Sequence, residues 1–334
     1  MNKSAIYQLL QDAVSREIVP GVSYSLIDHS MPEQHYIGLT QSRYGQPLTP
    51  DMRYDLASLT KVIVVTTRIL QLIGDKKLAL TDEVGHYLSN TVYPTVTIKN
   101  LLLHDSGLPA DVAQPSSYAD AEALKEKIKK TTLIAPIGQK TCYSDLNFII
   151  LGWIIEKIDQ KDLSQSAQEN IFEPLQMSHT GYLLPQDRSL FVPTEFDPNR
   201  GLIQGVVHDE TAYKLGGISG NAGLFSTLSD LNRFVQMILN HGQVHDMQVL
   251  PEEAFTLWQQ IQKNGRTLGW QRWSKNDLFL WHTGFTGTSL AIDLVHQTAF
   301  VCLTNRVYPT RLDRSWLKVR RLAISLFFGQ PEEI

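Results

Sequence analysis

Strand-like alternation is confined to the two ends of this chain, and helical periodicity fills the middle; no other feature constrains the fold as strongly. Near the start Val22, Tyr24 and Leu26 alternate with Ser23 and Ser25, a pattern that residues 35–39 can pair with. Near the end the runs 268–273, 278–283, 286–293 and 298–304 are short, strand-like and separated by Gly or polar turns. Between them the apolar residues recur with helical period over 58–73, 97–104, 119–130, 145–158, 162–172, 226–240 and 251–261. The spacing also predicts helices at 4–17 and about 311–328. This layout points to an α/β (α+β) fold: one antiparallel sheet flanked by the terminal helices, with a large helical insertion. The expected division is a discontinuous sheet domain, 1–57 with 262–334, and a mostly helical domain, 58–261, with an active-site cleft between them.

Composition narrows the function. The 334 residues are 43% hydrophobic and 19% charged, enough to bury a large core without metal or disulfide help. Thirty Lys+Arg against thirty-four Asp+Glu give a net charge of −4, so no excess positive charge is available for nucleic-acid phosphates. Cys142 and Cys302 are too few and too far apart for a disulfide framework or a metal site. The N-terminal residues never form the apolar core of a signal peptide. The longest apolar stretches, Val62–Val65 and Leu322–Phe328, fall far short of the ~20 residues that span a bilayer. The expectation is a soluble cytoplasmic protein with no membrane span, no nucleic-acid partner, no metal and no cofactor.

Three short motifs carry the chemistry. Ser58-Leu59-Thr60-Lys61 places a serine and a lysine three apart at the start of a predicted helix, on one face and within mutual reach. A serine hydroxyl is a weak nucleophile that needs an adjacent base, and a lysine serves once its pKa is lowered. The same spacing at Ser315-Trp316-Leu317-Lys318 lies in an Arg-rich terminal helix, where a solvated amphipathic face accounts for it. What distinguishes Ser58 is its company: Tyr143-Ser144-Asp145 before an apolar helix, and His282-Thr283-Gly284 on a predicted strand near the far end.

On these three elements, in this order, the sequence resembles the serine β-lactamase and penicillin-binding hydrolases, especially the class C β-lactamase, esterase and D-amino-acid peptidase branch. The likeness extends to Tyr54–Ser58, Thr97–Pro109 and Gly216–Phe225 and covers nearly the whole chain. The resemblance implies a β-lactamase/transpeptidase-like fold, with Ser58 as the acylated nucleophile, Lys61 as its base and Tyr143 as a proton relay to the leaving group. It also implies an oxyanion hole formed by the backbone N–H groups of Ser58 and Phe285, and substrate contacts from Asp145, His282, Thr283 and Gly284. For Lys61 to act near neutrality its pKa must fall by about three units, with burial in the cleft as the expected cause.

Two departures bear on substrate. The family often has asparagine where Asp145 stands, and an ionised Asp145 cannot donate to a substrate amide carbonyl. The family usually has lysine where His282 stands, and a histidine is charged only in part near pH 7. Both changes favour small esters or D-amino-acid amides over penicillins. Arg306, after the last strand, is placed to bind a substrate carboxylate bidentately or to join a surface ion pair. His104 reads as a packed, hydrogen-bonded histidine, and His241 with His245 lacks a metal motif. No Gly-x-Ser-x-Gly elbow, P-loop or dinucleotide fingerprint is present. The leading expectation is a cofactor-free serine hydrolase working through an acyl-enzyme on a small ester or a D-amino-acid amide, cell-wall peptide fragments among the candidates. The alternatives are a D-alanyl-D-alanine carboxypeptidase or weak β-lactamase, and a penicillin-binding sensor that acylates without turnover.

Overall fold

The computed structural model describes residues 2–28, 31–42, 44–184, 187–275 and 278–332. Six strands form an antiparallel sheet in the order Glu33–Gly38, Gly21–Ile27, Thr298–Thr304, Ser289–Asp293, Phe279–Thr283, Gln271–Arg272. The two ends of the chain meet inside it, since Val22 pairs with both Ile37 and Thr304. Strand alternation then sorts the side chains. Val22, Tyr24, Leu26, Phe300 and Cys302 pack beneath the terminal helices Lys3–Ser15 and Ser315–Phe328. Ile27, Leu280, Leu290, Ile292, Val301 and Leu303 face the other way and join the core of the helical part. Both faces of the sheet are therefore covered, which fits strands as apolar as Ala299–Leu303.

The helical part is built on two buried segments. Asp145–Asp159 runs through its centre, and the Ser58 segment continues into a π-helix, Lys61–Thr66, followed by an α-helix, Thr67–Gly74. The sequence pattern suggested one helix over 58–73, and the structure differs in pitch. Val62 to Thr67 are six consecutive β-branched residues, which crowd an α-helical turn. Thr66 Oγ1 and Thr67 Oγ1 donate to carbonyls five residues back, Lys61 O and Val62 O, at 2.9 and 3.1 Å. Such wide turns concentrate at functional sites.

Other departures are small. The last helix begins at Ser315, and the strand expected at 268–273 is reduced to Gln271–Arg272. Tyr54–Asp55 pairs with Phe225–Ser226, a two-residue ladder too short to show any period. Among the described residues no helix is long and apolar enough to cross a membrane.

Candidate active site

Ser58 follows a strained turn. Ala57 has φ of +46°, a left-handed conformation that costs a non-glycine residue about 1–2 kcal/mol. Asp55 holds it there: one carboxylate oxygen accepts from Ala57 N at 2.8 Å, the other from His208 N at 2.7 Å. The loop after the last motif clamps the same turn, with Thr286 Oγ1 donating to Asp55 O at 2.7 Å and Thr288 Oγ1 to Leu56 O at 3.1 Å. That approach explains Gly284, where a Cβ would lie 2.1 Å from Thr288 Oγ1 and 2.5 Å from Leu56 O. Motifs more than 200 residues apart are thereby held in contact.

Lys61 is fully buried, and its Nζ meets three acceptors: Ser58 Oγ at 2.9 Å, Asn221 O at 2.9 Å and Asp145 Oδ1 at 2.6 Å. Three acceptors match the three protons of an ammonium. Burial, the largest influence, pulls the lysine pKa down, but the Asp145 carboxylate and the Tyr143 phenol outweigh it and hold it above its ordinary value. This corrects the expectation of a lysine depressed by burial. It also corrects the place of Asp145, whose carboxylate turns to Lys61, with its side chain only 22% exposed, and so partners the lysine. Burial pushes the Asp145 carboxyl upward despite the lysine beside it.

Tyr143 lies among cations and imidazoles. Lys61 Nζ and Arg266 Cζ each lie 5.2 Å from its ring centroid. His104 packs against that ring at 4.6 Å and accepts from Ser144 N at 3.0 Å through Nδ1, so it is the packed, hydrogen-bonded histidine expected. His282 is 1% exposed, and among the described residues neither ring nitrogen has a partner. Burial, then Arg266 and Lys61, hold its pKa well below the usual histidine range. The expected partial charge at His282 is therefore absent, and the ring is a neutral wall.

Ser58, Phe285, Tyr143 and Arg311 are shared by two cavities. One, of about 380 Å³, is lined by Asp111, Asp145, Asp209 and Glu210. Burial, followed by Asp145, raises the Asp111 carboxyl to about 7. The other, of about 550 Å³, holds Thr283, Gly284, His282 and five arginines. Among the described residues the amides of Ser58 and Phe285 have no acceptor within the protein, as an oxyanion site requires. Arg306 donates through Nε to Phe285 O at 2.8 Å and through Nη1 to Asp313 O, so it is buried and braces Phe285, a different setting from a surface ion pair. The second Ser-x-x-Lys, Ser315 and Lys318, is exposed at the far helix.

Three features carried no signal in the sequence. Asn221 acts on Lys61 through its carbonyl, which any residue has. Arg266 sits alone between Gly265 and Thr267 in a loop without period. Arg314 and Arg320 belong to the Arg-rich terminal segment, which reads as a solvated face, yet both line the cavity beside Ser58.

The profile of the Beta-lactamase family matches residues 6–324. A protein of Escherichia coli O157:H7 named "Putative D-alanyl-D-alanine carboxypeptidase" is 32% identical over 320 residues, 80% of this chain and 73% of that one. In fold the chain is similar to a beta-lactamase/D-alanine carboxypeptidase from Pseudomonas syringae, with a TM-score of 0.78 at 17% identity, covering 98% of each chain. It is also similar to EstCE1, a hydrolase with promiscuous acyltransferase activity, with a TM-score of 0.77 at 18% identity, covering 96% of this chain and 98% of that one.

Proposed function

The chain belongs to the β-lactamase family of serine hydrolases, and from that premise we propose that it hydrolyses small esters and D-amino-acid amides or peptides through an acyl-enzyme on Ser58. The site is the cleft between the sheet unit, 1–57 with 262–334, and the helical unit, 58–261. The observation that carries the reading is the 2.9 Å contact between Lys61 Nζ and Ser58 Oγ beside two unpaired backbone amides. Lys61 rests as an ammonium clamped by Asp145; once it loses a proton, it accepts the one on Ser58 Oγ as that oxygen attacks the substrate carbonyl carbon. The carbonyl oxygen, now negative, takes hydrogen bonds from Ser58 N and Phe285 N. Collapse breaks the ester or amide bond, the departing oxygen or nitrogen takes its proton from the Tyr143 phenol, and Lys61 replaces that proton with the one it took from Ser58. Water then cleaves the Ser58 ester, freeing the acid and restoring the hydroxyl.

A carboxypeptidase reading has its own support, since an arginine-lined cavity suits a free C-terminal carboxylate. Intact mass and turnover with a p-nitrophenyl ester, a D-alanyl peptide and nitrocefin test both. The expected result is a Ser58 adduct and steady turnover of the ester or peptide, both lost in Ser58→Ala, with k_cat falling by up to ~10⁶-fold if nucleophile and base act as a unit. Labelling that survived Ser58→Ala would end the assignment.

A further inference from the structure

The larger cavity beside Ser58 is charged out of proportion to the chain. The protein carries net charge −4, yet five of the fourteen residues lining this cavity are arginines, and none is Asp or Glu. Among the described residues only Arg311 of these five has a carboxylate partner, Glu195 Oε2 at 2.7 Å, with Glu210 further off at 3.6 Å. Arg306 and Arg320 donate to main-chain carbonyls, which do not cancel their charge. Among the described residues Arg266 and Arg314 have no ion-pair partner at all, and Arg266 Nη1 is buried without a hydrogen bond. The nearest acid in sequence, Asp313, turns its carboxylate to Ser315 N at 2.7 Å. The buried His282, with both ring nitrogens unpartnered, faces the same space.

Guanidinium groups crowded into one partly enclosed cavity repel each other, and at Arg306 the Glu195 and Asp313 carboxylates oppose burial and its arginine neighbours only in part. Burial, followed by Arg306, pushes Arg320 down to about 10; burial, followed by Arg314, lowers Arg306 as well. A single carboxylate occupies the fork of one arginine. Two arginines without an ion pair, flanked by two whose hydrogen bonds go to main-chain carbonyls, offer more than one carboxylate can use. We propose that this cavity binds a substituent bearing two negative charges, a phosphomonoester or a pair of carboxylates, on the substrate, with Arg266 and Arg314 as its principal partners. The inference rests on the hydrolase reading only in taking that substituent to be part of the substrate cleaved at Ser58.

Calorimetric titration of the full chain with benzamide, benzoate, phthalate and phenyl phosphate tests this without relying on turnover. Phthalate or phenyl phosphate should bind at least 10-fold tighter than benzoate, and benzamide weakest. Arg266→Gln and Arg314→Gln should each weaken the dianion by at least 10-fold; Arg233→Gln, which lies at a different cavity, should not. Whichever dianion binds tighter identifies the source, phosphate ester or dicarboxylate. Arg314 is exposed, so its replacement keeps the test valid even if Arg266→Gln folds poorly. Dianions binding no tighter than benzoate, or a preference that survives both substitutions, overturns the inference and leaves ester hydrolysis at Ser58 standing. Arginine-dependent dianion binding in a protein that forms no Ser58 adduct would instead sink the hydrolase reading and keep the site.

Discussion

Replacing Asp145 by Asn should move the pH dependence of catalysis toward neutrality. The 2.6 Å contact to Lys61 is worth about 6 kcal/mol at an effective dielectric of about 20, and screening at a 22% exposed carboxylate cuts that to roughly 3 kcal/mol, or about two pKa units. In the native protein Lys61 stays protonated above the ordinary lysine value, so k_cat/K_M should climb with pH through 8 to 10. Without the carboxylate the largest remaining influence is burial, which lowers the lysine. The rising limb of Asp145→Asn should then sit about two units lower, with k_cat/K_M on p-nitrophenyl acetate at pH 7 up by about 10- to 100-fold. Stability gives an independent reading. In the native protein the raised Lys61 contributes stability that is present below about 10.4 and lost as pH rises through its folded value. In Asp145→Asn the folded value lies about two units closer to the unfolded one, since the Tyr143 phenol still opposes burial, so less stability should be lost between pH 9.5 and 11.5 than in the native protein. Melting temperatures at the two pH values and a full pH–rate profile check both. An unmoved rising limb, or activity lost at every pH, would refute the clamp and make Asp145 a proton carrier in its own right.

Gly284→Ala should lower stability by about 1–3 kcal/mol, because the methyl would lie 2.1 Å from Thr288 Oγ1 and 2.5 Å from Leu56 O. It should also cut k_cat at least 10-fold by shifting the Ser58 turn; a lower T_m with unchanged k_cat would separate the clamp from catalysis. Glu195 is pushed up by burial, but His208 and Arg311 hold it down at about 2, so it contributes about 2–3 kcal/mol that is lost as pH falls from 4.5 toward 2. In Glu195→Gln, urea unfolding at pH 7 and pH 3 should differ by correspondingly less than in the native chain. His282→Lys should destabilise by about 3–5 kcal/mol if the lysine stays charged beside Arg266 and Lys61. Adding Arg266→Gln should recover at least about 1 kcal/mol, and strict additivity in that cycle would show the two positions uncoupled.

The layout was legible wherever one element dominates a window of sequence. The sheet strands alternate over five to seven residues, and the helices at 145–159, 228–239 and 315–328 repeat over three or more turns. The π-turn at Lys61–Thr66 hid because its apolar residues keep a near-helical period while the hydrogen-bond ladder widens. In the site, Ser58, Lys61, Tyr143 and His282 come together as their motifs suggest. Side-chain direction was not legible. Asp145 belongs to the tyrosine motif either way, and only the packing of its helix against Lys61 turns its carboxylate from substrate to lysine. Arg320 looked like part of a solvated face because sequence period cannot say that this turn of the terminal helix leans over Gly284 and Thr288, whose carbonyls it binds at 3.1 and 3.4 Å.

Asp145 and His282 are joined through charge. Relative to asparagine and lysine at those positions, the acid adds one negative charge and the histidine removes one positive charge, a change of two beside Ser58. Arg266 restores a cation from a different element, the loop entering the sheet, and it lies over Tyr143 at the same 5.2 Å as Lys61. A third cation at 282 would add repulsion in a buried site without adding a partner for Tyr143, whose ring is already 6.2 Å from His282. Burial first, and then the Arg266 charge, hold His282 well below the usual histidine range, so the second cation beside Tyr143 comes from the loop and not from the strand.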